Sequence, residues 1–297
     1  MEKISLSDQL SLSRIIYGMW RLADDADTST QHIQAKIEAC LEQGISTFDQ
    51  ADIYSAYQAE GLLGATLKKA PQLRDQMQII TKCNIVAPIG IHCDQSVKHY
   101  NSSALYMTES VERSLREMSI DSIDLLLLHR PDPLMKADET GTALDALIAC
   151  GKVKGIGVSN FRPWDIDLLQ SRMENPLLTN QIEISLLENS ALTNGDLAYL
   201  QQHQIPAMAW SPLGGGRLFN NPDSLLNKKL SSLAKELGVD PSSVAIAWLL
   251  KHPATIMPVM GTNRLTRIKL FSEALEIELD RQTWFELLEA ANGQAVA

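Results

Sequence analysis

The stretch Ile123-Asp-Leu-Leu-Leu-Leu-His-Arg-Pro-Asp132 is an apolar run that stops abruptly on a histidine, an arginine and a proline. A nearly continuous apolar run from Ile123 to Leu128 suits a strand buried on both faces, as in a parallel sheet covered by helices. On either side of it, Ala104–Met118 and Glu139–Cys150 carry apolar residues at helical spacing. The same alternation recurs along the chain. Candidate strands are Ile15–Met19, Ile45–Phe48, Met77–Lys82, Val153–Val158, Thr179–Ile182, Pro206–Trp210 and Thr255–Val259, and further helical stretches are Thr30–Glu42, Trp164–Met173, Leu225–Glu236 and Val244–Lys251.

Strands alternating with helices predict a parallel sheet with crossover connections. Strand starts recur roughly every 25–50 residues, close to the repeat of a (β/α)8 barrel. The competing architecture is an open doubly wound sheet, which announces itself by a glycine-rich turn after the first strand. Here the first strand runs into Gly18-Met-Trp-Arg-Leu22, and Gly155-Ile-Gly157 is followed by Val-Ser-Asn, so neither completes GxGxxG. The sequence therefore predicts an α/β protein, a (β/α)8 TIM barrel spanning residues 1–297 as one domain.

Composition narrows the partners. Lys and Arg number 26 against 36 Asp and Glu, a formal net charge of −10. That balance argues against nucleic acid or an anionic membrane surface as a partner, and leaves room for a small anion held locally. The start of the chain shows no basic and apolar leader, no apolar run approaches the roughly 18 residues that span a bilayer, and Cys40, Cys83, Cys93 and Cys150 form no CxxC pair. These features predict a cytoplasmic protein with reduced thiols. With no added assembly element, a monomer is the expectation.

In a barrel, working residues stand at the C-terminal ends of strands. Read this way, the second strand ends at Asp49 with Tyr54 just beyond, the third at Lys82, the fourth at His129, the fifth at Ser159 and Asn160, the sixth at Gln181, and the seventh at Trp210 and Ser211. Parallel neighbours lie about 4.8 Å apart, so Asp49, Tyr54, Lys82 and His129 converge. A tyrosine of ordinary pKa is a poor acid at neutral pH. A nearby ammonium stabilises phenolate and is expected to lower that pKa, a carboxylate keeps the ammonium charged, and a histidine can orient a substrate oxygen. Singly, the Asp49–Lys82 pair reads as a rim salt bridge, His129 as a satisfied rim histidine and Tyr54 as a packing aromatic. The four together form a general-acid device for an oxygen on which negative charge develops.

With these residues in place, the chain resembles the aldo-keto reductases, NAD(P)H-dependent carbonyl reductases built on a (β/α)8 barrel. The resemblance runs through Gly18-Met-Trp20, Phe48-Asp-x-Ala-Asp-x-Tyr54, Thr81-Lys82, Leu128-His-Arg-Pro-Asp132, Gly157-Val-Ser-Asn-Phe161, Asn180-Gln181, Trp210-Ser-Pro-Leu213 and the Pro258–Ile268 stretch. It implies Tyr54 as the acid, Lys82 and Asp49 as its tuning pair, and His129 as the residue that orients the carbonyl. It also implies a cofactor site in which Ser159, Asn160 and Gln181 hold the nicotinamide carboxamide and Trp210 stacks on the ring. Gly18, Met19 and Trp20 would line that site, with Ser211, Leu213 and the Gly214-Gly215-Gly216-Arg217 loop over the pyrophosphate. Many members carry a Lys-Ser pair after strand eight, then an arginine and an asparagine; here those positions read Gly261, Thr262, Arg267 and Phe271. Thr262 and Arg267, with Asn263 or Arg264, would take the 2′-phosphate, and arginine there favours NADPH over NADH. The resemblance implies a small carbonyl substrate. Some similar proteins keep the nucleotide and act as redox sensors with little turnover, which is the alternative function.

Other chemistries fit less well. Cys83, His92, Cys93 and His99 fall in one segment after strand three, without the paired spacing of a zinc site. None of the six histidines forms the HxH of metal-dependent barrel hydrolases. Lys82 at a strand end also suits a Schiff-base aldolase.

Overall fold

The computed structural model describes residues 1–297. Its parallel strands close a barrel in chain order: β1 (Ile16–Gly18), β2 (Thr47–Asp49), β3 (Gln78–Cys83), β4 (Leu125–Leu128), β5 (Ile156–Ser159), β6 (Leu177–Glu183), β7 (Ala207–Trp210) and β8 (Met257–Met260). Every candidate strand is present. Several begin later than the apolar run suggested, because the first residues of the run enter the barrel before regular pairing starts: Ile123 meets Val153 in an isolated bridge only. Helix Ala104–Met118 has the predicted limits, with the Ser103 hydroxyl accepting from the Tyr106 amide to cap it.

The core has two parts. Between strands and helices lies a large apolar layer that includes Ile15, Phe48, Ile79, Leu126, Ile156 and Trp248. Inside the barrel, Ile16, Ile80, Leu125, Leu127, Leu178, Met208, Met257 and Val259 pack together. Leu10 and Leu12 join that inner group from an antiparallel hairpin of Lys3–Ser7 with Leu10–Ser13, which the sequence reading did not anticipate. Ser13 exchanges hydrogen bonds with Thr47 at the start of β2, so the hairpin plugs the end opposite the site. Each buried apolar side chain of this kind contributes about 1.5–3 kcal/mol.

Helices Ala59–Lys69, Asp196–Gln202 and Arg281–Asn292 also go beyond the sequence reading. The last is held by Trp248 and Trp284, stacked with ring centroids 4.8 Å apart, each indole N–H donating to the other's backbone carbonyl. The segment after β3 forms a short hairpin of Ile85–Val86 with His99–Tyr100. There His92 packs edge-on to Tyr57 at 5.1 Å, and no three His, Cys, Asp or Glu side chains gather as a metal site. No helix is long and apolar enough to cross a membrane.

Candidate active site

Register alone brings the polar strand ends together. Asp49 on β2 lies level with Gly18 on β1 and Ile80 on β3, Lys82 pairs with Leu127 on β4, and Gln181 pairs with Ser159 across β5 and β6. The wholly buried Lys82 ammonium donates to both Asp49 oxygens at 2.8 and 2.7 Å, to the Gln50 carbonyl at 2.9 Å and to Tyr54 Oη at 3.0 Å. Gln181 Nε2 donates a further 2.9 Å bond to Asp49 Oδ1. The Tyr54 and His129 rings meet edge to face, with centroids 6.0 Å apart.

These contacts set the protonation states. Burial pulls the Lys82 ammonium down, but the Asp49 carboxylate and then Tyr54 outweigh it, and its pKa lies above the ordinary lysine value. For Tyr54, burial raises the pKa, Lys82 pulls it back and Asp49 raises it further, leaving it above 10. This corrects the expectation of a lowered phenol pKa: removing phenolate from water costs more than one ammonium, already shared with Asp49, returns. The phenol therefore keeps its proton through the neutral range. His129 is pushed well below 6.5 by burial, then by Lys82, Arg130 and Lys98, so it is neutral at pH 7. Its Nδ1 is buried without a partner, while its backbone N–H donates to Cys83 O at 2.9 Å.

A second polar group adjoins the first. Ser159 Oγ donates to Gln181 O at 2.8 Å, Asn160 Nδ2 donates to Ser159 Oγ at 2.8 Å, and Trp210 Nε1 donates to Asn160 Oδ1 at 3.0 Å. Asn160 and Ser211 both adopt left-handed backbone, with φ of 62° and 49°, a conformation that reaims the chain at strand ends. Along the β1 and β7 loops, Trp20 is 55% exposed, the Met19 side chain is buried in the core, Leu213 is half-buried, and the glycine loop runs to an exposed Arg217. Gly215 and Gly216 are exposed, with positive φ and no side chain within 3.9 Å of where a Cβ would stand.

After β8, Gly261 and Arg267 are exposed and Thr262 accepts from Tyr17 Oη through its carbonyl at 3.0 Å. Asn263 is engaged on both sides of its amide, donating to Arg21 O at 2.6 Å and accepting from Lys36 at 3.1 Å. Lys36 is fully buried and also bonds Asp25.

Some residues of this mouth escaped the sequence reading. Arg130 lies over the Trp210 ring at 5.9 Å, and Arg21 reaches across from the β1 loop to Gly215 O at 3.2 Å. Each is adjacent in sequence to a residue already singled out, His129 and Trp20, but nothing local shows which way an arginine points. Tyr54 is followed by three left-handed residues, Ser55, Ala56 and Tyr57, and the Tyr57 hydroxyl fixes that turn by donating to Ile85 O and accepting from Ala87 N. With no glycine in it, the turn has no sequence signal.

A closed parallel barrel with ionisable side chains gathered at its C-terminal mouth is the architecture of a barrel enzyme. The model of the aldo/keto reductase family matches residues 14–292, and the chain belongs to that family. It is 61% identical to 6-dehydroglucose reductase of Agrobacterium fabrum over 297 residues, covering 100% of both chains. It is 40% identical to the oxidoreductase YdhF of Escherichia coli, covering 100% of this chain and 99% of that one. Among solved structures, the thermostable aldo-keto reductase Tm1743, with the inhibitor epalrestat, superposes with a TM-score of 0.82 at 21% identity, over 98% of this chain and 100% of that one. An aldo-keto reductase from Klebsiella pneumoniae in complex with NADPH superposes with a TM-score of 0.81 at 24% identity, over 96% and 93% of the two chains. At these identities the superpositions speak for the fold.

Proposed function

We propose that this chain reduces the carbonyl of a small aldehyde or ketone with NADPH, Tyr54 acting as general acid, and that its substrate is an aldehyde on a sugar. The observation that carries the reading is the 3.0 Å contact from Lys82 Nζ to Tyr54 Oη, with Lys82 itself held by both oxygens of Asp49. The sugar aldehyde is supported by the name of the 61% identical relative, 6-dehydroglucose reductase, a name shared by a 36% identical relative from Novosphingobium aromaticivorans.

The donor chemistry fits NADPH, the group present in the Klebsiella structure. Ser159, Asn160 and Gln181 would hold the carboxamide, and Trp210, already fixed by its bond to Asn160, would pack on the ring. Gly214 N and Gly216 N already donate to Ser211 O and Leu213 O, so what the loop offers a pyrophosphate is close approach to backbone without side chains at Gly215 and Gly216, and the exposed Arg264 and Arg267 suit the 2′-phosphate. When bound, NADPH supplies the hydride. Tyr54 and neutral His129 receive the carbonyl oxygen between them, and Tyr54 gives up its proton as negative charge builds on that oxygen. Lys82 then stabilises the phenolate through the contact already formed, without the cost of reorganisation.

Loss of NADPH absorbance across a panel of sugar aldehydes, simple aldehydes and ketones tests the reading. Turnover with sugar aldehydes ahead of ketones is expected. Tight NADPH binding with no turnover on any carbonyl would instead favour the redox-sensing role.

A further inference from the structure

Two residues after Lys82, Asn84 occupies a place where its side chain is costly to keep. It is fully buried, and its φ of 91° lies where glycine is at ease and a residue with a Cβ is strained. Both polar atoms of the side-chain amide are engaged. Nδ2 donates to Arg130 O at 2.7 Å and to Ser102 Oγ at 3.1 Å, and Oδ1 accepts from the Arg130 N–H at 3.1 Å. Two bonds to the N–H and C=O of one residue imitate a strand partner, so the Asn84 side chain extends β3 alongside the end of β4 by one more pair. Its own carbonyl accepts from Asn101 N at 2.9 Å, and Ser102 N donates to Asp132 Oδ2 at 3.1 Å. One amide thus joins the end of the lysine strand, the residue after His129 and the returning arm of the long loop.

His129 needs such support from its backbone. With Nδ1 unpartnered, the ring has no hydrogen bond on that side to fix its direction, and the peptide on either side of it is held by Cys83 O and by Asn84. We propose that Asn84 is a positioning residue for carbonyl reduction, setting His129 against Tyr54 and tying the 84–103 loop to that spacing. The inference rests on the reductase reading above, in which the carbonyl oxygen sits between those two rings.

The test compares the full-length wild type with Asn84→Gly, which accepts the φ and removes the clasp, and with Asn84→Asp, which keeps the shape but turns the Arg130 O contact repulsive. Both variants are expected to lose at least about tenfold in kcat, in line with the cost of a slightly misplaced group, while NADPH affinity stays within about twofold. Relief of the strained φ offsets part of the three lost hydrogen bonds, so Asn84→Gly should melt above Asn84→Asp, which keeps the strain and buries a charge, and the isotope effect with deuterated NADPH should rise as hydride transfer becomes slower than release. Wild-type kcat in Asn84→Gly would overturn the proposal, as would a loss of kcat that merely follows falling Tm and falling NADPH affinity. A wild type without carbonyl turnover, or one indifferent to Tyr54→Phe, would overturn the reductase reading and the positioning role with it. That outcome is distinct from a Tyr54-dependent enzyme that ignores Asn84.

Discussion

Lys82 and Tyr54 are joined by a 3.0 Å hydrogen bond between a wholly buried ammonium on a strand and a half-buried phenol in the loop beyond β2. In the proposed reaction the first holds its charge and the second holds its proton until the carbonyl oxygen takes it. Asp49 makes both possible, since it keeps Lys82 charged and, by the same negative field, helps keep Tyr54 protonated.

Breaking this group is expected to unfold as well as inactivate. Lys82→Met leaves the Asp49 carboxylate buried without its cation, at a cost of about 3–5 kcal/mol. Adding Asp49→Asn removes the stranded charge, and urea denaturation should show most of the stability returned while carbonyl reduction stays lost.

The pH profile of reduction follows from the raised pKa of Tyr54. As the proposed general acid, Tyr54 must be protonated, so kcat should stay level through neutral pH and fall only above 10, the ordinary tyrosine value. A fall beginning near pH 8 would mean that the phenol is more acidic than its burial allows.

His129 gives a prediction in the opposite range. Its pKa is depressed in the folded protein, so below 6.5 the unfolded chain takes up a proton that the folded site refuses. Stability is then full above 6.5 and declines as pH falls toward the folded pKa. His92 and His252 shift in the same direction, so the test is the difference in Tm between wild type and His129→Asn from pH 7 to pH 5. The variant should lose less.

Trp210→Phe keeps an aromatic ring but removes the 3.0 Å bond to Asn160. A neutral hydrogen bond of about 0.5–1.5 kcal/mol corresponds to roughly two- to tenfold weaker NADPH binding by fluorescence titration, with kcat less affected.

Much of this was legible in the sequence because strands buried on both faces are written as continuous apolar runs, and the residue that ends each run is polar for a reason. Ile123–Leu128 ending on His129 and Ile79–Ile80 ending on Thr81-Lys82 place two site residues without any tertiary information. The rest depended on direction and backbone sign. The left-handed turn at Ser55–Tyr57, the strained φ at Asn84 and the reach of Arg21 to Gly215 are set by partners 17 to 194 residues away, from the Asn101–Asn84 bond to the Arg21–Gly215 bond. Local propensity carries no trace of them. The direction of the Tyr54 shift was also beyond the sequence, which shows that a lysine is near but not how much water the site excludes.

The most direct test is a single turnover of NADPH with a sugar aldehyde by wild type and Tyr54→Phe, measured beside NADPH affinity. The acid assignment predicts a loss of about 100- to 10,000-fold in the rate of hydride transfer with cofactor affinity nearly unchanged. A Tyr54→Phe enzyme that transfers hydride at close to the wild-type rate would contradict it.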